Sequence, residues 1–559
     1  MKKNILLAII SIATLSNYSC QKESNKLKEP SINGSEKLAT VSNVLSDTTF
    51  VTNPKNLNII YFIPNDNPAR PNYKKRISDF LIHFQHYVTS EMTRNGFSGK
   101  TLGLPLDPTT NGVKIITIQG NYGYEYYDYD NGSSRIMNEI NTYKNANPSE
   151  FSSNNHNFII LPERPDKGSQ PFYGVGRNAY ALDFKDLELT YLSTTSSSYI
   201  GGFFHELGHG LNLPHNRQKK GEATTLGTAL MGSGNSTYGK SPTFLTFADC
   251  AIFYYNEIFQ PTNISNQYAA NTTSVNITNA SYNSSNQSIS LTGNFTSTLP
   301  ITQIFAYLDP ITASNTDHDS PSWGQHNTSN TFNFTIPLSD LYTTGNSDYT
   351  INLRLLANNG TINTTSYYFS FVNGTPIFRK NELSVHQHCS YGGYAVNLPY
   401  GVYNSTDLIS LGISNNDISS IKIPIFGIRA KAFDADNFTG GNIILTNSSN
   451  CLTSHNYNDK ISSLIVEPYG GNGKIKIYKH ASYGGTMVEL GVGLYRTTDL
   501  VGLGMLDNDV SSIQVPSNMK VTLFDNDNIK GASYVVTNNI NYLSAFNDKT
   551  SSILVEQLD

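Results

Sequence analysis

Residues 203–215 read Phe-Phe-His-Glu-Leu-Gly-His-Gly-Leu-Asn-Leu-Pro-His. His205 and His209 stand four apart, so on a helix they share one face and offer two imidazole nitrogens to a single metal. Glu206 lies beside them, where a carboxylate can hold an activated water and take its proton. The third candidate ligand, His215, follows His209 by six residues, and a straight helix would carry it away along the axis. The chain must therefore turn. Asn212 is the expected turning point, because Asn tolerates the left-handed backbone and Pro214 then discourages further helix. Three neutral imidazoles leave one position of a tetrahedral zinc open, which is the arrangement of a catalytic site.

A scaffold must hold these residues, and the preceding stretch supplies the pattern of one. Apolar runs at 57–63, 113–118 and 157–161 read as strands. Ile77, Phe80, Leu81, Phe84, Tyr87 and Val88 recur at a helical period within 72–94. Helices are also expected over 133–146, 196–211 and 246–259, the last with Thr246 and Asp249 at capping-box spacing. Asn178–Asp183 is expected at the edge of the sheet, where an extended peptide could pair with it. His83 and His86 lie three apart on the first helix and read as a partly exposed face.

The motif resembles that of the metzincin clan of zinc endopeptidases, His-Glu-x-x-His-x-x-Gly-x-x-His followed by a methionine-containing turn. His205, Glu206, His209 and His215 fall on its positions, and Met231 in Ala-Leu-Met-Gly-Ser matches the turn. The resemblance implies an α/β catalytic domain over 54–262, one catalytic Zn²⁺, Glu206 as general base and a protein or peptide substrate. The sequence departs from the pattern twice. Asn212 stands at the usual Gly position, and no Tyr follows Met231 by two residues; Tyr238 is further on.

At the N-terminus, Met1-Lys2-Lys3 and the apolar Ile5–Leu15 read as a signal peptide over 1–19. Leu15-Ser16-Asn17-Tyr18-Ser19-Cys20 resembles a bacterial lipoprotein box, which makes Cys20 the expected lipid anchor and the protein an outer-membrane, cell-surface or secreted one. Residues 20–53 are polar and read as a tether or short pro-segment, with Asp47 the acid that could cap a zinc. A net charge of −5 gives no basic footprint for nucleic acid. Four cysteines in 559 residues exclude a dense disulfide framework. Cys250 reads as a buried thiol; Cys389 and Cys451 share one region and could pair.

The remainder reads as all-β. Residues 263–374 carry short alternating runs that suggest an immunoglobulin-like sandwich, with no pattern for chemistry. The last part repeats a motif: Asn415-Asn416-Asp417-Ile418-Ser419-Ser420 recurs from Asn458, Asp507 and Asn547, at starts 43, 49 and 40 residues apart. Each copy follows an aromatic-and-glycine hairpin. This resembles βγ-crystallin, with four Greek keys in two domains over 378–468 and 473–559. The resemblance implies up to two Ca²⁺ per domain, held by the side chains of Asn415, Ser419, Asn458, Ser462, Asp507, Ser511, Asn547 and Ser551. Carbonyls of Asp417, Lys460, Asp509 and Lys549 would help, since calcium takes hard oxygen donors.

The expectation is thus a multidomain, extracellular zinc endopeptidase with a calcium-binding tail. The tail could dock on a glycan or surface target, and the membrane is reached only through Cys20. Its rival is a surface adhesin or glycan-binding lipoprotein with a vestigial metal site, in which Glu206 would be dispensable. Zinc hydrolysis of a non-peptide amide would use the same ligands and base.

Overall fold

The computed structural model describes residues 50–128, 131–164, 172–194, 197–311 and 318–558. The expected export signal, Asp47 and Cys20 lie outside the described residues. The chain is multidomain and mostly β, and it divides into two compact units. The first comprises residues 1–275, 294–342 and 354–363, and the second comprises 276–293, 343–353 and 364–559. Among the described residues, no helix is long and apolar enough to cross a membrane.

The first unit is built on a five-stranded sheet. Its strands are β1 (Asn58–Ile63), β2 (Ile116–Gln119), β3 (Asn157–Pro162), β4 (Phe172–Val175) and β5 (Asn178–Asp183), in the order β2-β1-β3-β5-β4. β1 pairs in parallel with β2 and β3, β3 in parallel with β5, and β4 closes the series antiparallel to β5. Side chains alternate across a strand, and both faces of this sheet are covered, so β1 is apolar throughout. Ile59 and Tyr61 pack with α1 (Tyr73–Arg94) and α3 (Ser197–Gly210). Ile60 and Phe62 pack with Ile136 and Ile140 of α2 (Gly132–Ala146) on the opposite face. The expected elements are present with shifted ends: the 113–118 strand resolves into Gly112–Val113 and β2, and the last helix is α4 (Phe247–Tyr255). The Thr246–Asp249 capping box forms as expected, with Asp249 N donating to Thr246 Oγ1 at 3.2 Å and Thr246 N to Asp249 Oδ2 at 2.9 Å.

One expectation is corrected. Asn178–Asp183 is not the sheet edge but an inner strand, paired with β3 on one side and β4 on the other. Its burial, with Ala179 and Ala181 at most 1% exposed, is that of an interior strand. The edge belongs to β4.

The aromatic core of this unit also takes Phe305, Tyr307 and Leu356 from beyond residue 262. Here Ile301–Pro310 pairs antiparallel with Ser322–His326. Eight strands lie between Thr273 and Ile377 among the described residues.

The second unit ends in two similar domains. In the first, 382–386 pairs with 395–399 and 420–422, and a second sheet runs in the order 401–403, 463–469, 427–433, 442–445. The second domain repeats this as 484–491, 474–480, 512–514 and then 493–495, 552–557, 519–526, 530–536. Strand 401–403 leaves the sheet of its predecessor for the other sheet, which is the crossover of a Greek key. Cys389 and Cys451 form a disulfide within the first of these domains, and Cys250 is a buried free thiol.

Candidate metal centre and its surroundings

α3 carries His205, Glu206 and His209, and its small residues let it lie close to its neighbours. A Cβ on Gly201 would fall 2.0 Å from the Asn235 carbonyl oxygen, and one on Gly208 would fall 2.5 Å from Met231 Sδ. Met231 is fully buried against this face. The helix then stops as anticipated. Asn212 has φ 72°, Asn212 N donates to the His209 carbonyl at 2.9 Å, and Leu213 N donates to the Gly208 carbonyl at 3.0 Å. Those two bonds around a left-handed residue are a Schellman closure. It brings His215 back to the helix.

The three imidazoles converge. His209 Nε2 lies 3.1 Å from His205 Nε2 and 3.0 Å from His215 Nε2. On the far sides, His205 Nδ1 donates to the Leu230 carbonyl and His209 Nδ1 to the Leu213 carbonyl, each at 2.8 Å. A proton fixed at Nδ1 leaves Nε2 with a bare lone pair facing the others. Burial holds all three rings well below the ordinary histidine value, His209 down to about 4. They are neutral, as metal ligands must be. Glu206 is 5% exposed, its Oε2 has no hydrogen-bond partner, and burial pushes its carboxyl up to about 8. Three converging imidazole nitrogens, with His209 Nε2 about 3 Å from each of the other two, beside the unpartnered Oε2 of Glu206 fit a zinc ion, whose tetrahedral donors stand about 3.4 Å apart. The edge strand β4 passes close by: a Cβ on Gly174 would meet His209 Cβ at 2.9 Å and Glu206 Oε2 at 3.7 Å.

Other candidates are placed elsewhere. Tyr238 is buried among Phe204 and Tyr87, and its hydroxyl meets His83 Nε2 at 3.0 Å, so it braces the aromatic core. His83 and His86 are half-buried, as expected of a partly exposed face. Two histidines missing from the sequence reading flank the centre. His156, fully buried, donates from Nδ1 to the Gly210 carbonyl at 2.7 Å and accepts from the Tyr268 hydroxyl at 2.8 Å, which ties down the end of α3. His318 stacks on His215 with ring centroids 3.6 Å apart. The stretch read as free of chemistry thus reaches the centre. Neither had a local signal: each is a lone histidine far from the motif.

In the tail, the repeats face one another in pairs. Ser419 Oγ donates to Asp459 Oδ1 at 2.8 Å, and Ser462 Oγ to Asn416 Oδ1 at 2.9 Å. Ser511 Oγ donates to Asp548 Oδ1 at 3.0 Å, and Ser551 Oγ to Asn508 Oδ1 at 3.2 Å. Each serine meets the second Asx of the other copy, and those four Asx residues all have left-handed φ, between 51° and 57°. Of the expected first positions, Asn415 and Asp507 are exposed, while Asn458 and Asn547 each donate from Nδ2 to the following aspartate at 2.7 Å. Asn547 Oδ1 is buried without a partner. Of the expected carbonyls, that of Asp417 accepts from the Tyr394 hydroxyl at 3.1 Å. The last serine of each copy has a different task. Ser420, Ser463, Ser512 and Ser552 are fully buried and bridge the folded hairpin before them, each donating to one hairpin carbonyl at 2.6 to 2.7 Å.

No protein-family model matches the chain. Among solved structures it is similar to OgpA from Akkermansia muciniphila, at 31% identity and TM-score 0.55, covering 59% of this chain and 98% of that one. That structure is a catalytically inactive OgpA in complex with an O-glycopeptide substrate. Two curated relatives from Myxococcus xanthus cover 31% of this chain and 98% of their own length. They are development-specific protein S, 32% identical over 174 residues, and its homolog, 34% identical over 178 residues. The chain belongs to the family of OgpA and, over 31% of its length, to the βγ-crystallin family of protein S.

Proposed function

We propose that this protein is an exported zinc endopeptidase that cuts O-glycosylated peptides and carries a calcium-binding βγ-crystallin tail. The observation that carries this reading is the convergence of the His205, His209 and His215 Nε2 atoms beside the unpartnered Glu206 carboxylate. The substrate class rests on the OgpA likeness. Export rests on the sequence pattern of residues 1–20, with Cys20 as the anchor.

His205, His209 and His215 would hold the zinc, which when bound polarises the scissile carbonyl and makes a water more acidic. Glu206 takes a proton from that water as its oxygen adds to the carbonyl carbon. It then passes the proton to the departing amine as the C–N bond breaks. An apolar, water-poor surround raises the proton affinity of Glu206, which suits a group that must take a proton and give it back. β4 presents a strand edge beside His209 and Glu206, so an extended peptide adding to that edge is delivered to them.

The test uses the full chain and its Glu206→Gln variant on synthetic peptides with and without an O-linked sugar, with new termini read by mass spectrometry. The expected result is zinc-dependent cleavage of the glycosylated peptides, lowered roughly 10²- to 10⁴-fold in Glu206→Gln. Equal cleavage of bare peptides sinks the substrate class, and equal cleavage by the variant sinks the role of Glu206. If the chain binds such peptides without cutting them, the adhesin reading takes its place.

A further inference from the structure

We propose that His318 is a fourth protein ligand of the same metal, filling its remaining position until substrate displaces it. This rests on the zinc reading above and goes beyond it, because three histidines alone leave that position to solvent. Nitrogen atoms of His205, His215 and His318 all lie within 4.8 Å of one another. The His318 ring is nearly parallel to that of His205, at 6° and 6.1 Å, and stacks on His215 at 3.6 Å. Donors of one tetrahedral zinc stand about 3.4 Å apart, so His318 lies near ligand distance of His205 and His215 and would have to draw in towards His209 to join them.

The placement is built by the chain around it. Arg217, two residues beyond His215, donates from its backbone to the Ser320 carbonyl at 2.9 Å and forms an isolated parallel bridge with Pro321. Its guanidinium pairs with Asp319 at 2.8 Å and lies 3.5 Å over the Tyr342 ring. Ser320 is 3% exposed. The segment that carries His318 is therefore fastened to the segment that carries His215, by backbone and by charge. Among the described residues, the tyrosine positions offer no rival: Ser233 stands where a tyrosine could follow Met231 by two residues, and the Tyr238 hydroxyl is engaged with His83.

The experiment loads the full chain with Co²⁺ or Zn²⁺ and compares wild type with His318→Ala and His318→Gln. The readouts are the visible ligand-field spectrum of the cobalt form, X-ray absorption of the zinc form and zinc affinity by chelator competition. The expected result is four nitrogen neighbours in wild type and three with one oxygen in both variants, with affinity falling roughly tenfold or more. Identical spectra and affinities across the three proteins overturn the proposal while leaving the zinc reading intact. If wild type takes up no metal, or takes it up equally after His209→Ala, the zinc reading itself fails and this proposal with it.

Discussion

At the scale of single residues, the first unit keeps several titratable groups neutral by burying them. His156 is the clearest case outside the metal centre. Burial pulls its imidazole down to about 4, outweighing the hydrogen bond to the Gly210 carbonyl and Glu257 at 3.7 Å, both of which favour the charged form. Arg177 and Lys55 add to the lowering. A histidine whose folded value lies below its unfolded value binds fewer protons when folded. Its contribution to stability is therefore present above pH 6.5 and lost as pH falls towards the lowered value. Denaturant unfolding of the metal-free chain at pH 7 and pH 4.5 should show that loss, and His156→Gln should show a smaller one. An unchanged pH dependence in the variant would mean that His156 is not among the groups responsible.

At the scale of elements, α3 decides the site, and its glycines are where it can be tested. Gly→Ala inside a helix ordinarily gains about 1 kcal/mol. Here contact opposes that gain. At Gly201 the obstacle is the Asn235 backbone carbonyl at 2.0 Å, which cannot move without its turn, whereas at Gly208 it is the end of the flexible Met231 side chain. Overpacking costs about 1–3 kcal/mol where neighbours can adjust. Gly201→Ala should therefore lower the melting temperature more than Gly208→Ala, while Gly208→Ala should weaken metal binding by displacing Met231. The reverse order of thermal shifts would mean that the 233–236 turn is the softer neighbour. The elements around the site were also the most legible part of the chain. The four-residue histidine spacing demanded a helix, the six-residue gap demanded a stop, and Asn212, a residue that tolerates the left-handed region, takes φ 72° there. The 178–183 strand was misplaced because alternating residues give no sign of a fourth-strand neighbour. That sign comes from the pairing of β4, which folds back as a hairpin. His156 and His318 were illegible for a related reason: only the tertiary fold brings 156 to 210, or 318 to 215.

At the scale of the whole molecule, the tail shows how repetition becomes a site. Read along the chain, each motif copy carries its own candidate donors, the first Asx among them. In the fold, two Greek keys face each other and the motif side chains are exchanged: Ser419 meets Asp459, and Ser462 meets Asn416. A cation at either place would therefore bridge two keys and oppose their separation. Binding at a hundred times the dissociation constant adds about 2.7 kcal/mol to the folded state per site. The exchange makes a prediction that independent copies would not. Asp459→Ala should remove the cation site that includes Ser419, from the neighbouring copy, and leave the one that includes Asn416 and Ser462. Calcium titration of the full chain by calorimetry should then fall by one equivalent, with the sites of Asn508 and Asp548 unaffected. Ser419→Ala should weaken the same equivalent as Asp459→Ala, and the double variant should cost little more than either alone, because both remove one site. If the two substitutions instead abolish different equivalents, the ligands stay within their own copies, and calcium holds each Greek key separately rather than fastening them in pairs.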